Sequence, residues 1–203
     1  MAVNLQKGQK VKLTKNDGSA LKHAMVGLGW DAAENPQKGG FLSSLLGGGS
    51  GEDVDCDASA IVCRNGHLTA VEDVVYFGNL RHSSDAIRHM GDNLTGEGEG
   101  DDEQIFVDLT SLPSDCDKII FVVNIYQAVK RKQQFGMIKN AFIRIVDADN
   151  NAELCRYSLS ENYDGMTAMV FGELYLRNGQ WKFNAIGQGT KDPGLKELIE
   201  RFR

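Results

Sequence analysis

The stretch from Phe171 to Gly189 reads FGELYLRNGQWKFNAIGQG, with Asn178-Gly179 between two runs in which apolar residues recur. Asn-Gly readily adopts the positive φ angles that a tight turn between antiparallel strands requires. The stretch therefore predicts a β-hairpin. Asn65-Gly66 and Asp149-Asn150-Asn151 are turn signals of the same kind, and we expect each of them to connect neighbouring antiparallel strands.

Short apolar segments that end in turn residues recur along the rest of the chain. Segments rich in Val, Ile and Phe with this spacing are typical of strands rather than of long helices. The predicted strands are Val11 to Thr14, Ala24 to Trp30, Ala58 to Cys63, Val74 to Asn79, Gln104 to Leu109, Lys118 to Gln127, Ala141 to Asp147, Glu153 to Leu159, Thr167 to Arg177 and Trp181 to Ile186. Strands so closely spaced predict a mainly all-β fold, an antiparallel β-sandwich of two packed sheets.

Helices are expected in two places only. Apolar residues recur at helical spacing near the C-terminus, at Leu195, Leu198, Ile199 and Phe202. This pattern predicts a helix that caps one end of the sandwich. The charged stretch from Val129 to Phe135 predicts a short helix between two strands. We interpret residues 1–203 as a single domain.

One low-complexity segment, GGFLSSLLGGGSG, occupies residues 39–51, and six of its thirteen residues are glycine. Glycine makes a backbone costly to order, so a flexible surface loop is the first interpretation. Phe41, Leu42, Leu45 and Leu46 are unusually apolar for a linker. The alternative interpretation is therefore a loop that docks on a partner or folds over the neighbouring acidic site.

Composition excludes several classes of protein. The chain has 28 acidic and 22 basic residues, a net charge of -6, whereas nucleic-acid binders need a basic surface. No apolar run approaches the length of a membrane span, and the N-terminal residues lack the apolar region of a secretion signal. The four cysteines form no CxxC pair and no zinc-like spacing with histidine, so we expect free thiols in a reducing cytoplasm.

The negative charge is concentrated in two short segments. DNLTGEGEGDDE, from Asp92 to Glu103, carries six acids and no base, and EDVDCD, from Glu52 to Asp57, carries four acids. Neither segment is an EF-hand loop, since the first has Leu94 at its third position and an EF-hand frame started at Asp53 has Ala58 at the sixth. Oxygen ligands without converging Cys or His favour calcium or magnesium, and calcium better tolerates an irregular set of ligands.

Strand periodicity supports a cation at the second segment. If the chain enters a strand here, Asp53, Asp55 and Asp57 share one face, and three neighbouring carboxylates repel one another unless a cation lies among them. A solvated acidic edge that discourages aggregation is the alternative.

An enzyme is not expected. The chain has no GxxxxGK[ST], GxSxG or HExxH motif, and its four histidines occur singly. A magnesium-dependent enzyme or binder that acts on nucleotides or phosphorylated small molecules remains the alternative function. A structural stress protein whose acidic residues bind nothing specific is a third.

Six motifs together resemble the TerD family of bacterial tellurium-resistance and general stress proteins. They are VGLGWD (Val26 to Asp31), DCDASA (Asp55 to Ala60), GDNLTGEGEGDDE (Gly91 to Glu103), DKIIFVVNIYQA (Asp117 to Ala128), FGMIKNAFIRIVD (Phe135 to Asp147) and the hairpin stretch quoted above. The resemblance runs in order along nearly the whole chain. The glycine-rich segment 39–51 departs from it, because typical members pass more directly from the GLGWD motif to the acidic DxDAS motif.

The resemblance implies a cytoplasmic β-sandwich that binds calcium through acidic loops, and our hypothesis is that two or three Ca2+ ions bind. It also implies a non-enzymatic, calcium-dependent interaction module that works with other proteins of the same stress or tellurite-resistance gene cluster. A membrane protein of that cluster is one candidate partner. The ligand candidates are Asp31, Asp55, Asp57, Asp92, Asn93, Asp101, Asp102 and Glu103, with backbone carbonyls near Gly96 and Gly98 and the side chain of Glu97 or Glu99 completing the shells.

Overall fold

The computed structural model describes residues 2–15, 17–32, 54–91 and 100–203, which form two six-stranded sheets. The elements are β1 (Val3–Leu5), β2 (Lys10–Lys12), β3 (His23–Ala32), β4 (Cys56–Arg64), β5 (Val74–Val75), β6 (Ile87–His89), β7 (Glu103–Asp108), β8 (Cys116–Ile125), α1 (Ala128–Arg131), β9 (Ile138–Asp147), β10 (Ala152–Ser158), β11 (Ala168–Arg177), β12 (Gln180–Thr190) and α2 (Leu195–Ile199). The first sheet has the order β1-β10-β9-β3-β7-β6, and the second has the order β2-β12-β11-β8-β4-β5.

The two sheets pack face to face around the main core. Side chains alternate along each strand, so that Ile105 and Val107 of β7 and Phe121 and Val123 of β8 all enter this core. The strand pairs are antiparallel except for β1 with β10. The predicted sandwich of two antiparallel-rich sheets with few short helices is confirmed.

The outer face of the second sheet is covered by the C-terminal helix. Ile120 and Val122 of β8 point away from the main core and pack in a second cluster with Leu198 and Ile199 of α2. The helix is confirmed, but the expectation that it caps an end of the sandwich is wrong. The apolar outward-facing residues of β4, β8 and β11 are buried by packing against the helix. The periodicity of the helix itself shows that it has an apolar face but not which surface that face contacts.

Truncating Leu198 to alanine is expected to lower the free energy of unfolding by about 2 kcal/mol. The side chain is completely buried, and a short terminal helix can partly close the cavity, which keeps the cost at the lower end of the usual range. Urea denaturation checks this value. Val129→Ala, at a position that is 67% exposed, is the control and should change the stability little.

The three predicted turns connect antiparallel neighbours as expected. Asn178 and Gly179 have φ of 54° and 69°, and β11 pairs directly with β12. Asn65 and Gly66 likewise have positive φ at the end of β4, and the chain returns to pair β5 with β4. The Asp149 to Asn151 turn joins β9 to β10.

Each of the ten predicted strands overlaps an observed one. The segment Val74 to Asn79 is a strand only at Val74–Val75, because Tyr76 and Asn79 close a turn through backbone hydrogen bonds of 2.9 and 3.1 Å. The helix expected at Val129 to Phe135 is α1, and a 3-10 turn follows at Phe135–Met137. Strands β1 and β6 were not predicted.

Two sequence expectations are not tested by these elements. The glycine-rich segment 39–51 lies outside the described residues, and the single-domain interpretation of residues 1–203 stays a prediction. Across residues 2–15, 17–32, 54–91 and 100–203, no helix combines the length and apolar character that crossing a bilayer requires.

Candidate metal centre

Strand β4 carries Asp57 to the outer face of the second sheet, beside Asn124 of β8. Cys56 and Ala58 point into the main core, so the intervening Asp57 faces the other way, as the period-two argument predicted. Asp57 and Asn124 are paired in register. The Asn124 Nδ2 group donates a hydrogen bond of 3.3 Å to Asp57 Oδ2, and both residues are 5% exposed.

Two neutral oxygen atoms at this position are buried and have no hydrogen-bond partner among the described residues. They are Asn124 Oδ1 and the hydroxyl of Ser59. Ser59 occupies the next position on the same face of β4, since it pairs with Val122 of β8. Buried polar atoms without partners are costly, and calcium accepts amide, carbonyl and carboxylate oxygens together. The atoms present therefore fit a hard cation.

Asn124 was missed by the sequence analysis. It lies within a strand whose preceding residues, Ile119 to Val123, are all apolar, and it was read as part of that strand. The signal was present nonetheless, because an amide inside a buried apolar strand needs a specific partner.

Asp55 lies just before β4 and faces α1. Its carbonyl accepts a hydrogen bond of 2.7 Å from the backbone N–H of Tyr126. Its carboxylate Oδ2 lies 3.4 Å from Nη1 of Arg131, whose guanidinium lies 5.0 Å from the Tyr126 ring centroid. Asp55 is thus two residues from Asp57 in sequence, but its carboxylate is partly neutralised by the Arg131 guanidinium.

Glu103 connects the two sheets from inside. Its carboxylate Oε2 accepts a 2.6 Å hydrogen bond from the backbone N–H of Ala58 and lies 3.4 Å from His89 Nε2. His89 Nε2 also lies 3.1 Å from the Ala58 carbonyl, and the Gly91 N–H donates to His89 Nδ1, so Nε2 carries the proton. Glu103 therefore accepts the hydrogen bond of a β4 backbone N–H at a position that the short strand β5, paired with Ala60 and Ile61, does not reach.

Asp102 and Asp31 form a second acidic position at the end of β3. The backbone N–H of Trp30 donates a 2.6 Å hydrogen bond to Asp102 Oδ2. Burial raises the pKa of Asp102, and the negative charges of Asp31 and Asp101 raise it further. Asp31 is exposed and accepts a 2.7 Å hydrogen bond from Asn140 Nδ2. A cation here would relieve the repulsion between these carboxylates.

Asp101 is bound by the protein itself on the outer face of the first sheet. Nε and Nη2 of Arg144 donate to its two oxygens at 2.7 and 2.9 Å, and Gln104 donates at 3.0 Å. A Cβ atom on Gly27 would lie 2.3 Å from this carboxylate. The described contacts thus make Asp101 an anchor that holds residues 100–103 on β3 and β9.

Gly27→Ala is expected to lower the free energy of unfolding by about 1–3 kcal/mol. The added methyl group would displace the Asp101 carboxylate and open its paired hydrogen bonds to Arg144. Thermal denaturation measures the loss. Gly194→Ala is a matched control, because its Cβ would make only an ordinary contact at 3.6 Å; equal losses in both variants would contradict the role of Asp101 as an anchor.

The buried thiol of Cys56 lies near described residues of both acidic segments, which also meet where the Ala58 N–H donates to Glu103. Its pKa is raised well above the usual value, first by burial and then by the negative charges of four carboxylates. These belong to Asp57 and Asp55 of one segment and to Glu103 and Asp102 of the other.

The described carboxylates do not form a complete metal site by themselves. Within the part of the chain that the structure describes, no three His, Cys, Asp or Glu side chains come together closely enough to hold a metal ion. The predicted ligands Asp92, Asn93, Gly96, Glu97 and Glu99 lie outside the described residues. The ligand set therefore stays a prediction.

Known proteins resemble this chain over its whole length. The TerD domain model matches residues 1–202. The stress response protein SCP2 of Bacillus subtilis is 50% identical over 202 residues, which cover 100% of both chains, and the tellurium resistance protein TerD of Serratia marcescens is 46% identical over 100% of this chain and 97% of its own.

A solved structure has the same fold. The crystal structure of a homologue of telluride resistance protein (TerD) from Streptomyces coelicolor superposes with a TM-score of 0.62 at 21% identity, over 85% of this chain and 92% of that chain. At this identity the likeness supports the sandwich alone. The match of the domain model to nearly every residue, together with the two relatives, establishes that the chain belongs to the TerD family.

Proposed function

We propose that this protein is a calcium-binding protein of the stress-response and tellurium-resistance type that acts as a non-enzymatic, calcium-dependent interaction module. The observation that carries the proposal is the buried oxygen group at β4 and β8. Asn124 Oδ1 and Ser59 Oγ lack hydrogen-bond partners among the described residues and lie on the same sheet face as the Asp57 carboxylate. Calcium would satisfy such oxygens and balance the charge together.

Two positions would hold the ions. The first is Asp57 with Asn124, next to Asp55, and the second is Asp31 with Asp102. Each position offers fewer oxygens than the six to eight that calcium takes, so backbone carbonyls, water and the sequence-predicted ligands of residues 92–99 would complete the shells. Calcium fits this mixed and irregular set better than magnesium, which demands octahedral geometry.

The ions would act through structure rather than chemistry. Cations that bind the native arrangement of carboxylates stabilise the folded chain, and a surface ordered in this way can be recognised by another protein. The names of the two relatives denote stress response and tellurium resistance, and neither denotes an enzyme. We place the activity in the cytoplasm, with proteins of the same resistance system as partners.

Isothermal titration of the metal-free protein with calcium tests the proposal. We expect binding of two or three ions, and Asp57→Asn should weaken one class of site by about tenfold or more, since a charged oxygen ligand is lost. Asp102→Asn should weaken the other class.

The exposed Asp164 offers the control substitution Asp164→Asn, which should leave every site intact. Absence of calcium heat in the wild-type protein would contradict the proposal. So would a titration in which Asp164→Asn weakens binding as much as Asp57→Asn does.

A further inference from the structure

A groove of about 460 Å³ opens beside Asp31, on the outer face of the first sheet. It is lined by residues of β3, β9 and β10, by the residue that follows β10, and by Gly100. The apolar floor on this outer face is the side chain of Phe142, whereas Trp30 and Leu159 line the groove but pack with the main core. The polar groups of the groove include Asp31, Asn140 and Arg156. Small-molecule sites combine an apolar lining with a few placed polar groups in this way.

A glycine lets the floor form. Phe142 of β9 is paired in register with Gly29 of β3, and a Cβ on Gly29 would lie 2.4 Å from the Phe142 ring. The ring can therefore lie directly against the β3 backbone, where any other residue would push it away.

An irregularity in the pairing directs a polar side chain to one end of the groove. The register of β3 with β9 shifts between Gly29 and Asp31, and Asn140 has a positive φ of 53°. Bulges of this kind redirect side chains, and strained backbone is found at functional sites. Here Asn140 Nδ2 donates to Asp31 Oδ2 at 2.7 Å and fixes the carboxylate.

The other end of the groove carries donor groups. The Arg156 guanidinium lies 4.0 Å from the Phe142 ring centroid. Its Nε and Nη2 atoms donate to Glu153 at 3.3 Å each, whereas Nη1 has no hydrogen-bond partner among the described residues. Two N–H groups are therefore available next to an aromatic floor.

We propose that this groove binds a small organic anion, a carboxylate or a phosphate ester on a flat apolar body, when calcium is bound at Asp31 and Asp102. The inference rests on the proposed calcium binding. The cation would complete its shell with an anionic oxygen of the ligand, and Arg156 Nη1 would donate to the same anion. The flat body would lie beside the part of Phe142 that lines the groove and that the Arg156 guanidinium leaves uncovered. Without the cation, Asp31 and Asp102 repel the anion.

Calorimetry with four probes tests this. Phenyl phosphate and benzoate share a ring and differ in the anion, inorganic phosphate lacks the ring, and benzyl alcohol lacks the charge. With calcium-loaded protein, we expect phenyl phosphate or benzoate to bind more tightly than either incomplete probe, and their relative affinities identify the anion. Chelation of calcium should weaken binding by about tenfold or more.

Variants locate the site. Arg156→Gln should weaken binding of the preferred probe by about tenfold, and Arg156→Lys should restore only part of it because the planar fork is lost. Arg177→Gln, at an exposed position on β11, is the control. The melting temperature of each variant verifies folding.

Three results would overturn the inference while calcium binding stands. They are no heat with either aromatic anion, equal affinity in wild type and Arg156→Gln, and binding that chelation leaves unchanged. Absence of calcium heat would instead overturn the proposed function and this inference with it.

Discussion

Asp73→Ala is expected to lower the free energy of unfolding by about 3–5 kcal/mol, as the removal of one partner from a buried ion pair does. Asp73 is 4% exposed. One of its oxygens accepts a hydrogen bond from Arg64 Nη1, and the other lies 3.0 Å from Nε2 of His82, whose side chain is completely buried. The His82 Nδ1 atom accepts the Ser84 N–H, which leaves Nε2 as the donor to Asp73.

Asp115→Ala is the matched control, because Asp115 Oδ2 binds the same guanidinium through Nε at 2.9 Å but is 60% exposed. An exposed ion pair contributes about 0–1 kcal/mol. Chemical denaturation of both variants measures the difference. Equal losses would show that the Asp73 contacts contribute no more than a surface pair.

The effect of Asp73→Ala should depend on pH. Burial by itself would raise the pKa of Asp73, but the hydrogen bonds from Arg64 and His82 outweigh burial and lower the pKa below its ordinary value of 3.8. A lowered pKa in the folded state stabilises the fold above the unfolded pKa, and this stabilisation is lost as the pH falls through the folded pKa. The stability difference between wild type and variant should therefore shrink below about pH 4; a difference that grows there would contradict this assignment.

Saturating calcium is expected to raise the melting temperature by roughly 10–20 °C relative to the chelated protein. A site filled at 100 times its dissociation constant contributes about 2.7 kcal/mol, and two such sites act together. For a chain of this size, 1 kcal/mol shifts the melting temperature by about 2–4 °C. Scanning calorimetry with calcium and with chelator measures the shift.

Asp57→Asn should reduce the calcium-dependent shift to about half, because one of two comparable sites is lost. In chelator the same variant should be as stable as the wild type or more stable, since a buried carboxylate near other carboxylates is removed. Magnesium at equal concentration should give a smaller shift. An equal melting temperature with calcium and with chelator would contradict the account.

Local sequence patterns predicted most of the fold. Asn-Gly at Asn178 and alternating apolar residues in β7 specify turns and faces from neighbours in the chain alone. Strands β1 and β6 escaped prediction because VNL and IRH are three-residue segments that belong to no longer apolar run, and each depends on a neighbouring strand for its hydrogen bonds. The position of α2 also depended on long-range packing.

The candidate site was predictable in composition but not in geometry. Acidic clustering indicated hard-cation chemistry, and periodicity placed Asp57 opposite Cys56. The anchoring of Asp101 by Arg144 joins residues 43 positions apart, and the pairing of Asp57 with Asn124 spans 67 positions. Such contacts follow from strand order in the sheets, which a local pattern does not contain.

A crystal structure of the protein grown with calcium, with the ions located by anomalous scattering, tests the central claim most directly. The account predicts one ion within about 2.3–2.6 Å of Asp57 and Asn124 oxygens and a second at the same distance from Asp31 and Asp102. Well-ordered density in which Asn124 Oδ1 and these carboxylates contact only protein or water, at saturating calcium, would contradict it.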